Sequence, residues 1–542
     1  MSETPARISD VLQPWSERTP DHPALVENSK VWTYRQLATA VSETQAWLRV
    51  NGIRPGDRVM IVGENGRAFA AVLLAAISMD AWPVVVNAHL SPREIDNIRD
   101  HCEARRVIYS TEVSPHATEH AKRHSAAIEP VGDLGTIGLG PLNETTQPEP
   151  IDADIAHRVA ALIYTSGSTG LPKGVMLTNR NLLFTASGSA KIRSLTQDDR
   201  LYGILPLSHV VGLAVVFLGS LLSGATVYLT ARFDPMAARV TLDKERITVM
   251  LGVPSMFQQF LQYAKIRKVD SLNLPALRII SCSGAPLQPA IKAAVERLFG
   301  LPLHHGYGIT ECSPSVAQVR VEDPPRADTS VGPAFPGVEL KLVGPDGKPV
   351  AAGEVGELHV RGPNIMKGYY RAPEETAAVI DTEGWFNSRD LARMEDGHLF
   401  VVGRTKDLII RFGFNVYPAE VEAVLNAHPA VMQSAVIGRS ANGDEEIVAF
   451  IQPREGISLV PNELNEYATR DLAPYKRPSQ IILLSTLPMT TSGKIAKGEL
   501  IKLAEEKRET SQSARSTAAP QSASDLRSES LFAEPSQTPT AK

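Results

Sequence analysis

Cysteine is scarce in this chain, so disulfide bonds are not expected to stabilise it. The 542 residues include three cysteines, Cys102, Cys282 and Cys312, which are odd in number and widely separated. The opening stretch MSETPARISD also lacks the basic and then apolar pattern of a secretory signal peptide. These two absences together predict a reducing, cytoplasmic location.

A strong charge of either sign is also missing. The formal net charge is −5, so composition gives no reason to expect nucleic acid or an anionic membrane as a partner. Any anion that the protein binds must therefore be held by a local site.

Charged residues are absent from residues 201–231, a stretch that is long enough to cross a bilayer. Pro206, His209 and several glycines interrupt this stretch, and residues 227–229 have the composition of a strand. We therefore predict a strand end, a buried helix near residues 210–222 and a second strand, and no integral membrane span.

The length of the chain predicts more than one domain, because a single hydrophobic core stops growing well below this size. Over residues 1–403, apolar runs rich in β-branched residues alternate with amphipathic stretches, which favours an α/β fold with layered, largely parallel sheets. The apolar runs are DRVMIVG (57–63), RRVIYS (105–110), RITVMLGVP (246–254) and LRIISCSGAP (277–286).

The pattern changes near residue 403. Residues 404–508 contain two helical patterns, PAEVEAVLNAHPAV and NELNEYATRDL, and three strand candidates, QSAVIG, EIVAFIQP and IILLSTLP. They predict a small α+β domain. Residues 509–542 are poor in aromatic residues and rich in Ser, Thr, Ala and Pro, which predicts a disordered tail.

One glycine-rich loop, YTSGSTGLPKG (164–174), has the composition of a phosphate-binding loop. Its glycines allow tight turns whose N–H groups converge on an anion, its hydroxyl groups add donors, and Lys173 adds a positive charge. It is not a Walker A loop, because Pro172 precedes Lys173 and Gly174 follows it. Taken alone, the loop is equally compatible with an ordinary surface turn.

Five motifs, taken together and in order, resemble those of the adenylate-forming superfamily, and in particular the acyl-CoA synthetases, the AMP-forming carboxylic acid:CoA ligases. They are YTSGSTGLPKG, HHGYGITE (304–311), GWFNSRD (384–390), GRTKDLIIRFGFNVYPAEVE (403–422) and TTSGKIAKGEL (490–500). The resemblance covers residues 8–503. It implies a large N-terminal α/β domain of several subdomains, residues 1–403, and a small, mobile C-terminal α+β domain, residues 404–508.

The resemblance also implies the reaction. A carboxylate is a poor electrophile, so the acid first attacks the α-phosphorus of ATP and releases pyrophosphate, and the acyl-AMP then reacts with the thiol of CoA. ATP, Mg²⁺ and CoA are the implied cofactors and co-substrates. In such a transfer the protein mainly positions the reactants and neutralises developing charge.

The family motifs imply nucleotide-binding residues. The phosphate loop is expected to hold the β- and γ-phosphates through Thr165, Ser166, Gly167, Ser168, Thr169, Gly170 and Lys173. Residues expected to contact adenine are Ser283, Gly284, Ala285, Pro286, Tyr307 and Gly308. Asp390 is expected to accept hydrogen bonds from the ribose hydroxyls, and Arg404 to reach the ribose or a phosphate.

Three residues are implied in catalysis. Glu311 is expected to bind Mg²⁺, which favours carboxylate and phosphate oxygens, and Thr310 to lie near the α-phosphate. Lys494 is expected to bridge the incoming carboxylate and the α-phosphate, where negative charge gathers. Without the family context, a lysine in the polar loop TTSGK would be read as solvated and inert.

Two positions depart from the family pattern. Ser388 and Arg389 replace the usual Thr-Gly before Asp390, so the loop must differ locally if that glycine served a positive φ. Phe412 stands where a small residue is common, which puts the shape of the CoA passage near Gly413 in doubt. Lys406 occupies the position of the family's hinge residue, about which the small domain rotates between the two half-reactions.

The acyl pocket is expected around His209 and Gly306, although His209 could instead be an ordinary core histidine. The stretch PLSHVVGLAVVF offers apolar walls, and the absence of Asp and Glu from residues 201–233 disfavours an amino acid substrate. The sequence GYGITECSP resembles the corresponding motif of fatty-acid ligases more than that of arylpropenoate ligases. We therefore expect a medium- or long-chain fatty acid or an aromatic acid.

Two alternatives remain open. One is adenylation with another acceptor, such as a carrier protein or the oxygen of a luciferase-like reaction. The other is a non-catalytic ligand-binding protein, against which the retention of Lys494, Glu311 and Asp390 together argues. The expected partners are small molecules, and the chain could be a monomer or a homodimer.

Overall fold

The computed structural model describes residues 5–165, 172–412, 414–441, 444–490 and 494–516. Two large sheets form the body of residues 1–403. The first sheet is parallel in its interior and antiparallel at both edges. Its strands in spatial order are Ser315–Gln318, Leu303–Gly308, Ile279–Cys282, Val249–Gly252, Arg200–Gly203, Thr226–Leu229, Pro23–Glu27 and Lys30–Thr33.

The second large sheet carries the strands on either side of the phosphate loop. Its central strands are parallel, and its outer strands are antiparallel. In spatial order they are Gly368–Tyr369, Lys173–Thr178, Val159–Thr165, Trp82–Asn87, Arg58–Gly63, Arg106–Tyr109, Thr136–Leu139 and Ala127–Pro130. The predicted α/β layering with largely parallel sheets is confirmed.

Helices cover the sheets and fill the space between them. One core cluster joins residues of both sheets to the almost wholly buried helix Arg67–Ser78. The α-helices before residue 404 are Gln13–Arg18, Tyr34–Val50, Arg67–Ser78, Pro92–Cys102, Pro115–Arg123, Asn179–Ile192, Gly219–Ser223, Pro235–Lys244, Pro254–Arg267, Pro289–Phe299 and Pro373–Ala377. Burial of this apolar surface is the main stabilising contribution to the fold.

A third, antiparallel sheet leads from the large sheets to the C-terminal domain. Its strands are Glu339–Val343, Gly356–Arg361, Phe386–Glu395 and His398–Arg404. Arg404 is the last residue of this sheet and pairs with Asp390, so the predicted boundary at 403/404 lies one residue before the end of its last strand.

The C-terminal region has two hydrophobic clusters and two sheets of its own, one of two strands and one of three. Its strands are Ile409–Arg411, Phe414–Val416, Val431–Ala441, Asp444–Pro453 and Gln480–Leu483, and its helices are Pro418–Asn426, Pro461–Asp471 and Lys497–Ser516. The last helix continues past position 508, where the sequence analysis began the disordered tail. Residues 517–542 of that tail lie outside the described residues.

The uncharged stretch 201–231 folds as a strand, a buried helix and a second strand, as predicted. Strand Arg200–Gly203 is followed by a π-helix, Val211–Leu218, the short α-helix Gly219–Ser223 and strand Thr226–Leu229. In the part of the chain that the structure describes, no helix combines the length and the apolar character needed to traverse a bilayer.

The replacement of glycine by Arg389 does not require a different loop. The backbone of Arg389 has a φ of +57°, the region that a glycine would also allow. Its N–H donates to Asn387 Oδ1 at 2.8 Å, and the N–H of Asp390 donates to Ser388 Oγ at 3.1 Å. The expectation of a local change is therefore wrong, because side-chain hydrogen bonds hold the positive φ.

Gly212 allows the π-helix to pack against the turn that carries His209. A Cβ atom at residue 212 would lie 2.1 Å from the carbonyl oxygen of Pro206, and that same oxygen accepts the N–H of His209 at 2.9 Å. Backbone atoms cannot yield as a flexible side chain can, so the position requires glycine.

We predict that Gly212→Ala lowers the free energy of unfolding by about 1–3 kcal/mol, because the added methyl group forces the turn away from the helix. Gly219→Ala is the matched control, since a Cβ there meets its nearest atom at 3.4 Å. It should change stability by less than about 1 kcal/mol. Urea denaturation of both variants measures the difference, and equal stability would contradict the steric argument.

Candidate active site

A buried carboxylate, Asp390, joins the first sheet to the third. Asp390 is 3% exposed, and Tyr307 on strand Leu303–Gly308 donates its phenolic hydrogen to Oδ2. Arg404 Nε donates to Oδ1 of Asp390 at 2.7 Å. Burial and the charge of Asp390 raise the pKa of Tyr307, so its hydroxyl stays protonated and remains a donor. Three predicted nucleotide-binding residues therefore lie in contact.

Glu311 lies in the short 3₁₀ turn Thr310–Cys312, directly after this strand. Its Oε1 accepts a hydrogen bond from Tyr369 at 2.9 Å. Thr310 and Cys312 beside it are buried, and burial raises the pKa of the Cys312 thiol, which disfavours a nucleophilic role for that cysteine. Glu311 is the acidic side chain of this turn, and it is half-buried between buried neighbours.

The phosphate loop connects two adjacent antiparallel strands. Thr165 ends strand Val159–Thr165 and pairs with Lys173, which begins strand Lys173–Thr178. Lys173 forms an ion pair with Glu375, and its ammonium lies 5.1 Å from the ring centroid of Tyr369. The other predicted loop residues, Ser166, Gly167, Ser168, Thr169 and Gly170, lie outside the described residues.

Lys494 comes from the C-terminal domain and approaches this cluster. Burial and the positive charge of Arg404 lower the pKa of Lys494, while the negative charges of Asp390 and Glu311 oppose that change. The loop that carries it is closed by the N–H of Lys494, which donates to Thr490 Oγ1 at 3.1 Å, and residues 491–493 lie outside the described residues. Lys494 therefore lies within electrostatic range of the two acidic residues that the motifs predicted, Asp390 and Glu311, and forms no ion pair with either of these two described residues.

His209, which was predicted to line the acyl pocket, lies within electrostatic range of Lys494. Burial, with a smaller contribution from the charge of Lys494, lowers its pKa to about 4. A neutral imidazole is therefore present at neutral pH. Burial is what an ordinary core histidine would also show, and the influence of Lys494 agrees with a place near the site, so both interpretations of His209 stay open.

Gly306 and Gly308 lie on one strand, Leu303–Gly308, and packing constrains them to different degrees. Gly306 pairs with Gln318, and a Cβ on Gly306 would be 3.4 Å from that side chain. A Cβ on Gly308 would be 2.2 Å from the carbonyl oxygen of Pro314, so glycine is required there by packing. The predicted adenine wall follows strand Ile279–Cys282, at Ser283, Gly284, Ala285 and Pro286, with Gly284 at a φ of +87°.

The predicted hinge and the CoA segment lie just beyond Arg404. Lys406 is exposed in the 3₁₀ turn Thr405–Asp407. Phe412 is 67% exposed with a φ of +53°, next to Phe414, whose ring stacks on Tyr475 at 4.5 Å. Gly413 lies outside the described residues.

A magnesium ion fits this site only together with phosphate. In the described part of the chain, no group of three or more His, Cys, Asp or Glu side chains could hold a metal by itself. Mg²⁺ characteristically takes one or two carboxylates plus substrate phosphates and water. Glu311, which Tyr369 links to Lys173, supplies that kind of ligand.

Sequence analysis missed several residues of the site. Tyr369 and Glu375 contact Glu311 and Lys173, and a buried polar cluster of Arg193, Ser281 and Gln318 lies behind Gly306. Each of these contacts joins residues that are distant in sequence. The one available signal was the pair of tyrosines in KGYYRAPEE, which carries no motif that predicts a ligand.

Removing the charge of Lys494 should raise the pKa of His209. Lys494→Met removes the nearby positive charge, while burial, the larger cause, keeps the pKa below the ordinary value of 6.5. Since the folded state disfavours protonation of His209, its contribution to stability should still fall as the pH drops below that value. NMR titration of labelled histidines measures the change, and His305, whose lowered pKa reflects burial and Lys292, is the internal control. An unchanged pKa of His209 in Lys494→Met would contradict the proximity of His209 to Lys494.

Comparison with known proteins agrees with this geometry. The AMP-binding enzyme family model matches residues 12–370, and the AMP-binding enzyme C-terminal domain model matches residues 420–494. Feruloyl-CoA synthase from an Amycolatopsis species is 37% identical over 89% of this chain and 96% of its own length. Indoleacetate–CoA ligase from Aromatoleum aromaticum is 32% identical over 87% of this chain and 93% of its own length.

Solved structures give the same result. ATP-bound MatB from Rhodopseudomonas palustris has a TM-score of 0.80 at 27% identity and covers 92% of this chain and 98% of its own. The o-succinylbenzoate coenzyme A synthetase of Bacillus subtilis, in complex with ATP and magnesium, has a TM-score of 0.77 at 28% identity. The match covers 91% of this chain and 99% of the synthetase. The predicted fold class is confirmed, and ATP, Mg²⁺ and CoA are the reactants and metal ion of the matching family. The chain therefore belongs to the AMP-binding enzyme family, as an adenylate-forming acyl-CoA synthetase and thus an acid–thiol ligase.

Proposed function

We propose that this protein converts an aromatic carboxylic acid with a polar ring substituent into its CoA thioester, through an acyl-adenylate. The observation that carries the adenylation step is that Lys494, in the C-terminal domain, lies within electrostatic range of Glu311 and Asp390, residues of the other domain. A protein that only bound a ligand would not need a cation at the position where carboxylate and α-phosphate meet.

The assignment of an aromatic acid is supported by the relatives. By their names, feruloyl-CoA synthase, indoleacetate–CoA ligase and a 4-coumarate–CoA ligase from rice, which is 31% identical to this chain, act on aromatic acids. The preference for a fatty acid, drawn from the wording GYGITECSP, has no support among them.

The buried polar cluster behind Gly306 supports a polar substituent on the ring. Arg193 is 4% exposed, burial lowers its pKa to about 10, and it forms no ion pair with a carboxylate among the described residues. Its guanidinium donates to Ser281 Oγ at 3.4 Å, and Gln318 Nε2 donates to the same oxygen at 3.4 Å. Burying these polar donors against the methyl end of a fatty acid would cost free energy. The oxygen of a ring substituent would instead accept their hydrogen bonds.

In the first half-reaction, the residues of this chain bind and orient the nucleotide. Asp390 accepts hydrogen bonds from the ribose hydroxyls through its remaining lone pairs, while Tyr307 and Arg404 fix the orientation of its carboxylate. Lys173 and the phosphate loop hold the departing pyrophosphate. Mg²⁺, when bound by Glu311, neutralises charge on the phosphates.

Lys494 acts on the reacting atoms. Its ammonium draws the acid's carboxylate and the α-phosphate together and offsets the negative charge that develops as the acid attacks. His209, uncharged at neutral pH, packs beside the acid without attracting its carboxylate away from phosphorus.

The second half-reaction requires Lys494 to withdraw. We propose that the C-terminal domain, residues 404–508, rotates about Lys406 and carries the hairpin bearing Phe412 towards the acyl-adenylate. Phe412 is 67% exposed, and its ring lies 5.2 Å from the guanidinium carbon of Arg411. The cytoplasmic location and the choice between monomer and homodimer stay predictions.

Lys494→Ala should lower the rate of adenylation by about a hundredfold or more, because the transition state loses its bridging cation. Thioester formation from supplied acyl-adenylate should fall far less. Pyrophosphate release and thioester formation, assayed separately, measure the two rates. Lys502→Ala, an exposed lysine of the last helix, is the control. Equal losses in both half-reactions would overturn the role of Lys494.

A panel of acids tests the substrate class. CoA-dependent AMP formation should be highest with hydroxylated cinnamates or benzoates, lower with the unsubstituted acids and lowest with fatty acids. Arg193→Met should remove most of the preference for the hydroxylated ring. A maximum on fatty acids would overturn the aromatic assignment. Pyrophosphate release without CoA-dependent turnover would indicate another acceptor. No activity with any of the acids would favour the non-catalytic alternative.

A further inference from the structure

Tyr369 connects the metal side of the proposed site to its phosphate side. Its hydroxyl donates to Glu311 Oε1 at 2.9 Å, and its ring face lies 5.1 Å from the ammonium of Lys173. Tyr369 is 8% exposed. One side chain thus contacts both the expected ligand of Mg²⁺ and the cation expected to hold pyrophosphate.

The backbone around Tyr369 is held on both sides. The N–H of Met366 donates to the carbonyl oxygen of Glu311 at 2.9 Å, and the N–H of Tyr370 donates to that of Gly174 at 2.7 Å. The N–H of Tyr369 itself donates to Thr376 Oγ1 at 2.9 Å. The segment is therefore tied to the turn of Glu311 and to the strand that begins at Lys173.

The two contacts of the tyrosine side chain have different physical origins. The hydroxyl occupies one oxygen of Glu311 and so orients the other, as partners of metal-binding carboxylates commonly do. Burial and the charge of Glu311 raise the pKa of Tyr369, so the hydroxyl stays a donor. The ring attracts the ammonium of Lys173 through its negative face.

Lys173 also has an acidic partner, Glu375. The side chain of Glu375 is 47% exposed and that of Lys173 is 24% exposed, so water screens the pair and it is weak. A triphosphate carries more negative charge than one carboxylate and would compete with Glu375 for the ammonium.

We propose that Tyr369 is a positioning residue for adenylation, which orients Glu311 towards Mg²⁺ and holds Lys173 beside the phosphate loop, and that Glu375 is a counter-ion which ATP displaces from Lys173. The proposal rests on the proposed function. It assigns Tyr369 to adenylation only, with no part in the transfer to CoA.

Tyr369→Phe removes the hydrogen bond to Glu311 and keeps the ring over Lys173. The Mg²⁺ concentration that gives half-maximal adenylation should rise about tenfold. Thioester formation from supplied acyl-adenylate should change far less. Tyr369→Leu removes the ring as well and should in addition weaken the binding of ATP measured without metal.

Tyr370→Phe is the matched control. Tyr370 is the next residue and is also buried, but its hydroxyl donates to Glu149 Oε1 at 2.6 Å, and its ring belongs to a different hydrophobic cluster. Its loss should leave the Mg²⁺ requirement unchanged. A wild-type Mg²⁺ requirement in Tyr369→Phe, or the same rise in Tyr370→Phe, would overturn the role of Tyr369.

Glu375→Gln tests the counter-ion. It frees Lys173, so the dissociation constant of ATP, measured by calorimetry without Mg²⁺, should fall about threefold. Glu374→Gln is the control, because Glu374 is exposed and forms no ion pair with any described residue. An unchanged or larger constant in Glu375→Gln would overturn the displacement.

Failure of the proposed function can be distinguished from failure of the roles proposed for Tyr369 and Glu375. A wild-type protein that formed no acyl-adenylate from any acid would overturn that function. The binding of ATP and Mg²⁺ to the variants, followed by calorimetry, would still decide the roles of Tyr369 and Glu375.

Discussion

A buried carboxylate needs hydrogen-bond donors on all sides, and Asp390 obtains them from two different parts of the fold. Tyr307 reaches it from the first large sheet, and Arg404 reaches it from the last residue of the third sheet. Arg404 is also the point from which the chain enters the hinge turn and the C-terminal domain. The hydrogen bonds of one carboxylate thus link the first sheet to the third at the residue from which the chain leaves for the C-terminal domain.

The charges of the site are balanced for a substrate that is itself highly negative. Asp390 and Glu311 oppose the positive charges of Arg404 and Lys494, and Glu375 pairs with Lys173. Burial and Arg404 lower the pKa of Lys494, and burial together with Lys494 lowers that of His209. Charges of both signs therefore act on Lys494, which agrees with the proposed closing and opening of the C-terminal domain.

Backbone conformation, more than side-chain identity, preserves the local geometry. Arg389 takes a φ of +57° where the family has glycine, and Asn387 and Ser388 supply the hydrogen bonds that stabilise this backbone. Gly212 and Gly308 are required for the opposite reason, because carbonyl oxygens occupy the space that a Cβ would need. The motif comparison flagged Arg389 as a departure, yet close backbone packing constrains the two glycines far more strictly.

The amino-acid sequence by itself determined the reaction class, the layered α/β architecture and the residues whose chemistry is local to a motif, such as Lys173, Glu311, Asp390 and Lys494. It could do so because five motifs in order resemble those of one enzyme family, whereas the loop of Lys494 taken alone would be read as solvated and inert. The tertiary structure alone decided that Tyr369 joins Glu311 to Lys173, that Glu375 pairs with that lysine and that Arg193 reaches Ser281 behind Gly306. These are contacts between side chains far apart in the chain, and no periodicity or spacing encodes them, since they depend on how strands and helices pack against one another.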